Sequence, residues 1–254
     1  MRTRTTADIV ARFHRAFADH DAGLLAGLIG EECVMEAISP VPDGARTEGR
    51  DACLTFWRAL AEDRTTQFEA EEVDVSGERA TIRWRYRFGA TASESVRGVT
   101  LMRVVGGVIV EALGYSKTGE VPLAAETEGG RSEDHTAGTR TVREVLDRYN
   151  EAFEERDPGL LTDLIADDCV IEDSGPAPDG ARHVGGAACR ARWPGLIEDP
   201  SLTFAPDSPE IFGDLAIQPW TLRWGSAEDE RLRGVNLLRI REGKIVEARG
   251  YVKS

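Results

Sequence analysis

Few side chains in this 254-residue sequence combine reactivity with a suggestive setting. Its four cysteines, Cys33, Cys53, Cys169 and Cys189, form two pairs with the same 20-residue spacing. Structural zinc sites use closely spaced Cys or Cys/His ligands, so this spacing implies no metal; two disulfides are conceivable, but buried free thiols are the expectation for a cytoplasmic chain. His183 follows the segment Pro178-Asp179-Gly180-Ala181-Arg182. An imidazole with its ordinary pKa can serve as a base near neutrality, although a histidine on a loop is often simply solvated. Glu36 and Glu172 sit in the matching segments CVMEA and CVIED, where alternation along a strand points them to the outer face. The five tryptophans, Trp57, Trp84, Trp193, Trp220 and Trp224, together with Tyr86, supply flat apolar surfaces that either fill a core or line a pocket. The patterns G-x-G-x-x-G after a strand, Walker A, H-E-x-x-H and G-x-S-x-G are missing, so nothing points to a nucleotide cofactor, zinc protease or serine-hydrolase chemistry.

The elements that position these residues occur twice. With an offset of 136 residues, positions 6–118 align with 142–254 without a gap and share 45 identities in 113 positions. The expected organisation is a domain over 1–118, an acidic linker over 119–139 and a second domain over 140–254. In each copy Ile9, Val10, Phe13 and Phe17, or Val145, Leu146, Tyr149 and Phe153, fall at helical spacing. Asp21 and Asp157 cap a short second helix. A short strand, a Pro-Gly turn and a third helix follow; Pro194-Gly195 predicts a break in the third helix of the second copy. Three longer strands finish each copy. In ATIRWRYRF the residues Ala80, Ile82, Trp84, Tyr86 and Phe88 share one face, and VVGGVIV and IREGKIV read as hairpins. Helices followed by antiparallel strands predict an α+β class: two tandem cone-shaped domains, each with helices packed on a strongly curved antiparallel or mixed sheet.

The formal charge of −14 disfavours nucleic-acid and anionic-membrane partners. The sequence has no 18-residue apolar run for a membrane span and no apolar stretch after Arg2 and Arg4 for a secretion signal, which makes the cytoplasm the expected location.

The opening amphipathic helix with its leucine helix, the strand CVMEAI or CVIEDS before a Pro-Gly turn, and the terminal GVIVEALGY or GKIVEARGY strand resemble the SnoaL-like polyketide cyclases. These belong to the nuclear transport factor 2-like superfamily, which includes ketosteroid isomerase. The resemblance spans nearly all of each copy. It implies an aspartate base at the end of the first strand, where Asp173 stands; the matching residue in the first copy is Ala37. The isomerase's second acid is replaced near RGVNL by Val235 or Asn236, and the last-strand aspartate of the cyclases is missing from Ala248-Arg249-Gly250. What is left suits a reaction needing one carboxylate and one hydrogen-bond donor. Facing an apolar cone, Asp173 would act as proton shuttle, with Asn236 donating to a developing oxyanion and His183 as a further catalytic candidate. As a structural residue, Asp173 would instead accept hydrogen bonds from the Ser174-Gly175 turn. Substrate-binding expectations fall on Trp220, Trp224, Trp193 and Ile171, and on Trp84, Tyr86 and Trp57.

These readings predict a cofactor-independent cyclase or isomerase acting on a hydrophobic polyketide-like small molecule. A non-catalytic small-molecule binder, an epoxide-opening cyclase or hydrolase of the fused polyether type, and a dehydratase are the alternatives. The resemblance also implies an intramolecular pseudo-dimer through the sheet faces bearing Tyr115 and Tyr251, as a monomeric chain or a further homodimer.

Overall fold

The computed structural model describes residues 4–118 and 140–254, so the segment read as a linker, 119–139, lies outside the described residues. Two compact units divide the chain, one built mainly before residue 118 and the other mainly after it.

The first unit opens with helix α1 (Thr6–Ala18). Thr5 accepts the Asp8 N–H, and Asp8 in turn accepts the Thr5 N–H at 2.9 Å, so two backbone donors that the helix leaves unpaired are satisfied together. The apolar stripe Ile9, Val10, Phe13 and Phe17 is buried as its spacing requires. A 3₁₀ turn at Ala22–Leu25, capped by Asp21, leads into β1 (Ile29–Glu36). Then come β2 (Arg46–Glu48), α2 (Arg50–Glu62), β3 (Gln67–Ser76), β4 (Arg79–Arg87), β5 (Ser95–Val105) and β6 (Val108–Ser116). The strand order is β2-β1-β6-β5-β4-β3, antiparallel except for the parallel β1–β6 pair.

The second unit repeats this plan: α3 (Val142–Glu154), a 3₁₀ turn at Pro158–Leu161, β7 (Ile165–Glu172) and β8 (Arg182–Val184). Helices α4 (Gly186–Arg192) and α5 (Pro194–Glu198) precede β9 (Thr203–Pro206), β10 (Glu210–Phe212), β11 (Leu215–Arg223), β12 (Arg231–Arg241) and β13 (Lys244–Val252). Each unit is therefore an α+β domain whose helices lie on a curved, mostly antiparallel sheet. Its core is built from the inward faces of both layers.

Three details refine the sequence reading. First, four long strands, not three, follow the helices of the first unit. The extra strand β3 runs along the sheet edge, and its FEAEEVDVS sequence is largely exposed and acidic, so it shows no buried alternation. Second, the third helix is continuous in the first unit but interrupted at Trp193 in the second, because Pro194 starts a separate helix. Third, the outer strand of the second unit is split into β9 and β10, both paired with β11. Pro219 stands opposite that gap, and Pro206 and Pro209 flank it; proline cannot donate to a ladder and favours interruptions.

Gly98 and Gly234 pair directly across the sheet with Trp84 and Trp220. A Cβ at either glycine would collide with the indole ring opposite, so each glycine lets a tryptophan lie flat on the sheet.

Candidate functional site

Asp173 is the first residue beyond β7, and its N–H donates to the Ala181 carbonyl across the Pro-Gly turn at 2.9 Å. This anchors the backbone and turns the side chain inward. Arg192, the last residue of α4, donates its Nε–H to both carboxylate oxygens, at 2.8 and 2.6 Å. The break at Trp193 ends the helix just beyond Arg192. His183 lies on β8 opposite Ile171, and its Nε2 is 3.1 Å from Asp173 Oδ2. The three side chains are only 10 to 15% exposed. Asp173 is thus buried but held in charge-assisted hydrogen bonds, which fix a carboxylate more firmly than neutral partners do.

Facing it is a set of donors. The Asn236 side-chain amide on β12 donates to the Tyr149 hydroxyl oxygen at 3.2 Å. Tyr149 is almost fully buried, and burial pushes its pKa well above the ordinary tyrosine value, so the hydroxyl remains protonated and keeps its own hydrogen to donate. Trp220 contributes an indole N–H that is buried with no acceptor among the described residues. These groups border a cavity of about 70 Å³ with walls from Phe153, Ile171, Trp193, Phe204 and Ala248. Glu172 borders it as well, but its carboxylate is engaged by Arg249 at 3.2 Å and Arg182 at 3.8 Å. The matching Glu36 is paired with Arg46 at 3.2 Å.

The structure thus gathers Asp173, Asn236, Trp193, Trp220 and Ile171 around one space, with His183 behind Asp173. Trp224 lies beyond the end of β11, is 37% exposed and does not border this cavity. In the first unit Trp57 and Trp84 border a separate cavity, whereas Tyr86 packs between Phe68 and Phe88. The cysteines are buried and unoxidised, and each pair is linked by a thiol-to-carbonyl hydrogen bond, from Cys53 to Cys33 and from Cys189 to Cys169. Among the described residues no group of three or more His, Cys, Asp or Glu side chains is placed to hold a metal ion.

Two contributors, Tyr149 and Arg192, were not singled out by sequence reasoning. A usable signal was present in the repeat. At the 136-residue offset Tyr149 meets Phe13, Asp173 meets Ala37, His183 meets Thr47, Arg192 meets Phe56 and Asn236 meets Thr100. Every polar member of the cluster replaces an apolar residue or a threonine. The exchange at Thr100 also alters the neighbouring tryptophan: Trp84 donates to Thr100 Oγ1 at 3.0 Å, whereas Trp220 has lost that acceptor.

Among solved structures, a nuclear transport factor 2-like protein of unknown function from Mesorhizobium loti is 52% identical, with 46% of this chain and 94% of that one covered at a TM-score of 0.43. A candidate polyketide cyclase from Sinorhizobium meliloti is 23% identical, covering 42% of this chain and 93% of its own, with a TM-score of 0.36. A candidate ketosteroid isomerase from Kribbella flavida is 20% identical over 53% of this chain and 94% of its own, with a TM-score of 0.37. No curated protein matches. The SnoaL-like domain matches twice, over residues 10–112 and 146–248, so most of the sequence is accounted for and the chain belongs to the SnoaL-like domain family as a tandem duplication.

Proposed function

We propose that the second unit is a cofactor-independent acid–base site for a hydrophobic, polyketide-like intermediate, removing a proton next to a carbonyl and so promoting ring closure or double-bond migration. The observation that carries this reading is the gathering of the buried Asp173 carboxylate and several donors at a single cavity, where the repeat's other copy has Ala37, Phe13 and Thr100.

In the proposed step, Asp173 accepts the proton as the substrate C–H bond breaks, and the electron pair moves onto the carbonyl oxygen. The Tyr149 O–H and the Trp220 N–H donate to that oxygen. Donors already fixed around a developing negative charge stabilise it without reorganising, and a buried donor lacking an acceptor gains most from receiving one. The enolate carbon then attacks a carbonyl carbon of the same molecule, whose C=O π electrons move onto its oxygen and take the proton held by Asp173; in an enolate conjugated with a double bond, the remote carbon takes that proton back instead and the double bond migrates. Arg192 holds the carboxylate in position throughout, and His183 shares the acquired proton through its hydrogen bond to Oδ2. A cavity of about 70 Å³ takes only the reacting end of a ligand as it stands, so a larger substrate must displace side chains at its rim.

Proton removal can be followed without the native intermediate, as deuterium uptake from D₂O into a panel of hydrophobic β-diketones and enolisable ketones, read by NMR. The full chain is expected to accelerate uptake for at least one of them, and Asp173→Asn to reduce that rate by roughly 10²-fold while the fold is retained. An Asp173→Asn protein with unchanged rate and pH profile would remove Asp173 from the role. Failure of the wild-type chain to accelerate any member of the panel would remove the reaction class.

A further inference from the structure

We propose that Cys169 and Cys189 form a peroxide-oxidisable modification site, closing as a disulfide that ties the start of α4 to β7. Cys169 lies on β7, and Cys189 lies on α4 one turn after Gly185. The Gly185 N–H donates to the Cys169 carbonyl at 2.8 Å, which brings the helix start against the strand, and the Cys189 sulfur lies 3.2 Å from the same carbonyl oxygen. The two thiols also hydrogen-bond each other. Both are fully buried, and a disulfide requires side chains that face each other in this way from neighbouring backbones.

The first unit holds the same pair in a different electrostatic setting. Cys33 and Cys53 stand at the matched positions, with the Cys53 sulfur 3.5 Å from the Cys33 carbonyl oxygen. There burial pushes both thiols up, Cys33 to about 12. In the second unit the hydrogen bond from Cys169 lowers the pKa of Cys189, with help from the Ile171 N–H and the charge of Arg190 and against the opposing effects of burial and Asp173. The residue matching Arg190 is Leu54. Since the thiolate is the nucleophile, Cys189 is the attacking sulfur, and Cys169, pushed up by the same contact, is the resolving one. The Cys189 thiol also reaches the His183 carbonyl at 3.7 Å. His183 belongs to β8, a three-residue edge strand with Arg182 and Val184 exposed, so local opening of this strand admits an oxidant little larger than water.

In the oxidation, the Cys189 thiolate attacks one oxygen of hydrogen peroxide, the O–O bond breaks, and the departing hydroxide takes up a proton to leave as water. Cys169 then attacks the sulfur of the resulting sulfenic acid; the S–O bond breaks, and the thiol proton of Cys169 goes to the departing hydroxide. Two thiols and one peroxide thus give one disulfide and two waters. The bond joins the helix that carries Arg192 to the strand that runs into Asp173, the two elements that hold the carboxylate. This site does not depend on the chemistry assigned to Asp173, because oxidation is read on sulfur and not on turnover.

The test treats the folded full chain with hydrogen peroxide at neutral pH, quenches with acid, alkylates the remaining thiols in denaturant and maps the peptides by mass spectrometry without reduction. The Cys169–Cys189 disulfide is expected to form at least about tenfold faster than one between Cys33 and Cys53, following the difference in thiolate character. Cys189→Ser should leave Cys169 reduced. Arg190→Leu, which keeps every sulfur and installs the first unit's residue, should slow closure about threefold or more. Because a serine at position 189 can loosen the core, circular dichroism checks the fold, and Cys169→Ala serves as a second variant, in which Cys189 is expected to stop at a sulfenic acid that dimedone traps. Retention of all four free cysteines after treatment, closure no faster in the second pair than in the first, or closure of the second pair only in unfolded protein overturns the site.

Discussion

Asp173 illustrates how a charge can be kept in a small, largely apolar cavity. With Arg192 on both oxygens and His183 on one, the carboxylate is compensated although little water reaches it. Removing only the cation should therefore be worse than removing both charges. Arg192→Met is expected to lower unfolding stability by about 3 kcal/mol, the cost of stranding a buried charge, and adding Asp173→Asn to recover part of that loss. Denaturant titration of the single and double variants measures the difference; a double variant less stable than Arg192→Met alone would show that the pair is not coupled this way. Tyr149 adds a second test. Tyr149→Phe restores the first unit's residue type and should leave the fold intact, while reducing deuterium uptake about tenfold or more through loss of one oxyanion donor. Glu36→Gln, in the unit without the base, should leave the exchange step nearly unchanged. Residue identity alone could not single out Arg192. It is one arginine in a basic stretch with Arg190, and its role depends on the helix ending immediately after it.

At the scale of elements, legibility follows burial. Helices α1 and α3 could be read because each has an apolar stripe at helical spacing. The interruption after α4 could be read because proline acts locally. Strand β3 could not, since it is held by pairing with β4 while much of its length faces solvent. Nor did periodicity reveal that β1 pairs parallel with β6, a tertiary arrangement of segments some 70 positions apart in the sequence. Helix α1 also carries a pH-dependent contribution. The folded-state pKa of His14, about 4, lies below the ordinary 6.5, so the unfolded chain binds more protons between those values. Stability from this residue is present above pH 6.5 and is lost as pH falls toward 4, by up to about 2 kcal/mol given the partly open setting of the ring. His14→Gln should flatten that part of the stability–pH curve. If the acid-side slope is the same in both proteins, His14 is not its source.

For the whole molecule, duplication supplies an internal control: one arrangement of elements appears with two sets of side chains, one polar around a small cavity and one aromatic around a larger one. If the positions rather than the neighbouring sequence create the acid–base site, it should be transferable within the chain. The graft consists of Phe13→Tyr, Ala37→Asp, Thr47→His, Phe56→Arg and Thr100→Asn, each taken from the matched position of the second unit. Arg58→Pro must accompany them, because α2 runs unbroken through Phe56 and the arginine needs a helix end beside it, as Pro194 provides beyond Arg192. Tested in an Asp173→Asn background, the graft is expected to restore deuterium uptake about tenfold above that background, well short of wild type, since the larger cavity holds a reacting group less closely. The same graft with Ala37→Asn in place of Ala37→Asp should give nothing back. A folded graft that is no faster than its asparagine counterpart would mean that the cluster depends on features of the second unit outside these six positions, with the interrupted outer strand and Gln218, which hydrogen-bonds Asn150 and the carbonyls of Asp207 and Pro219, as the first to transfer next.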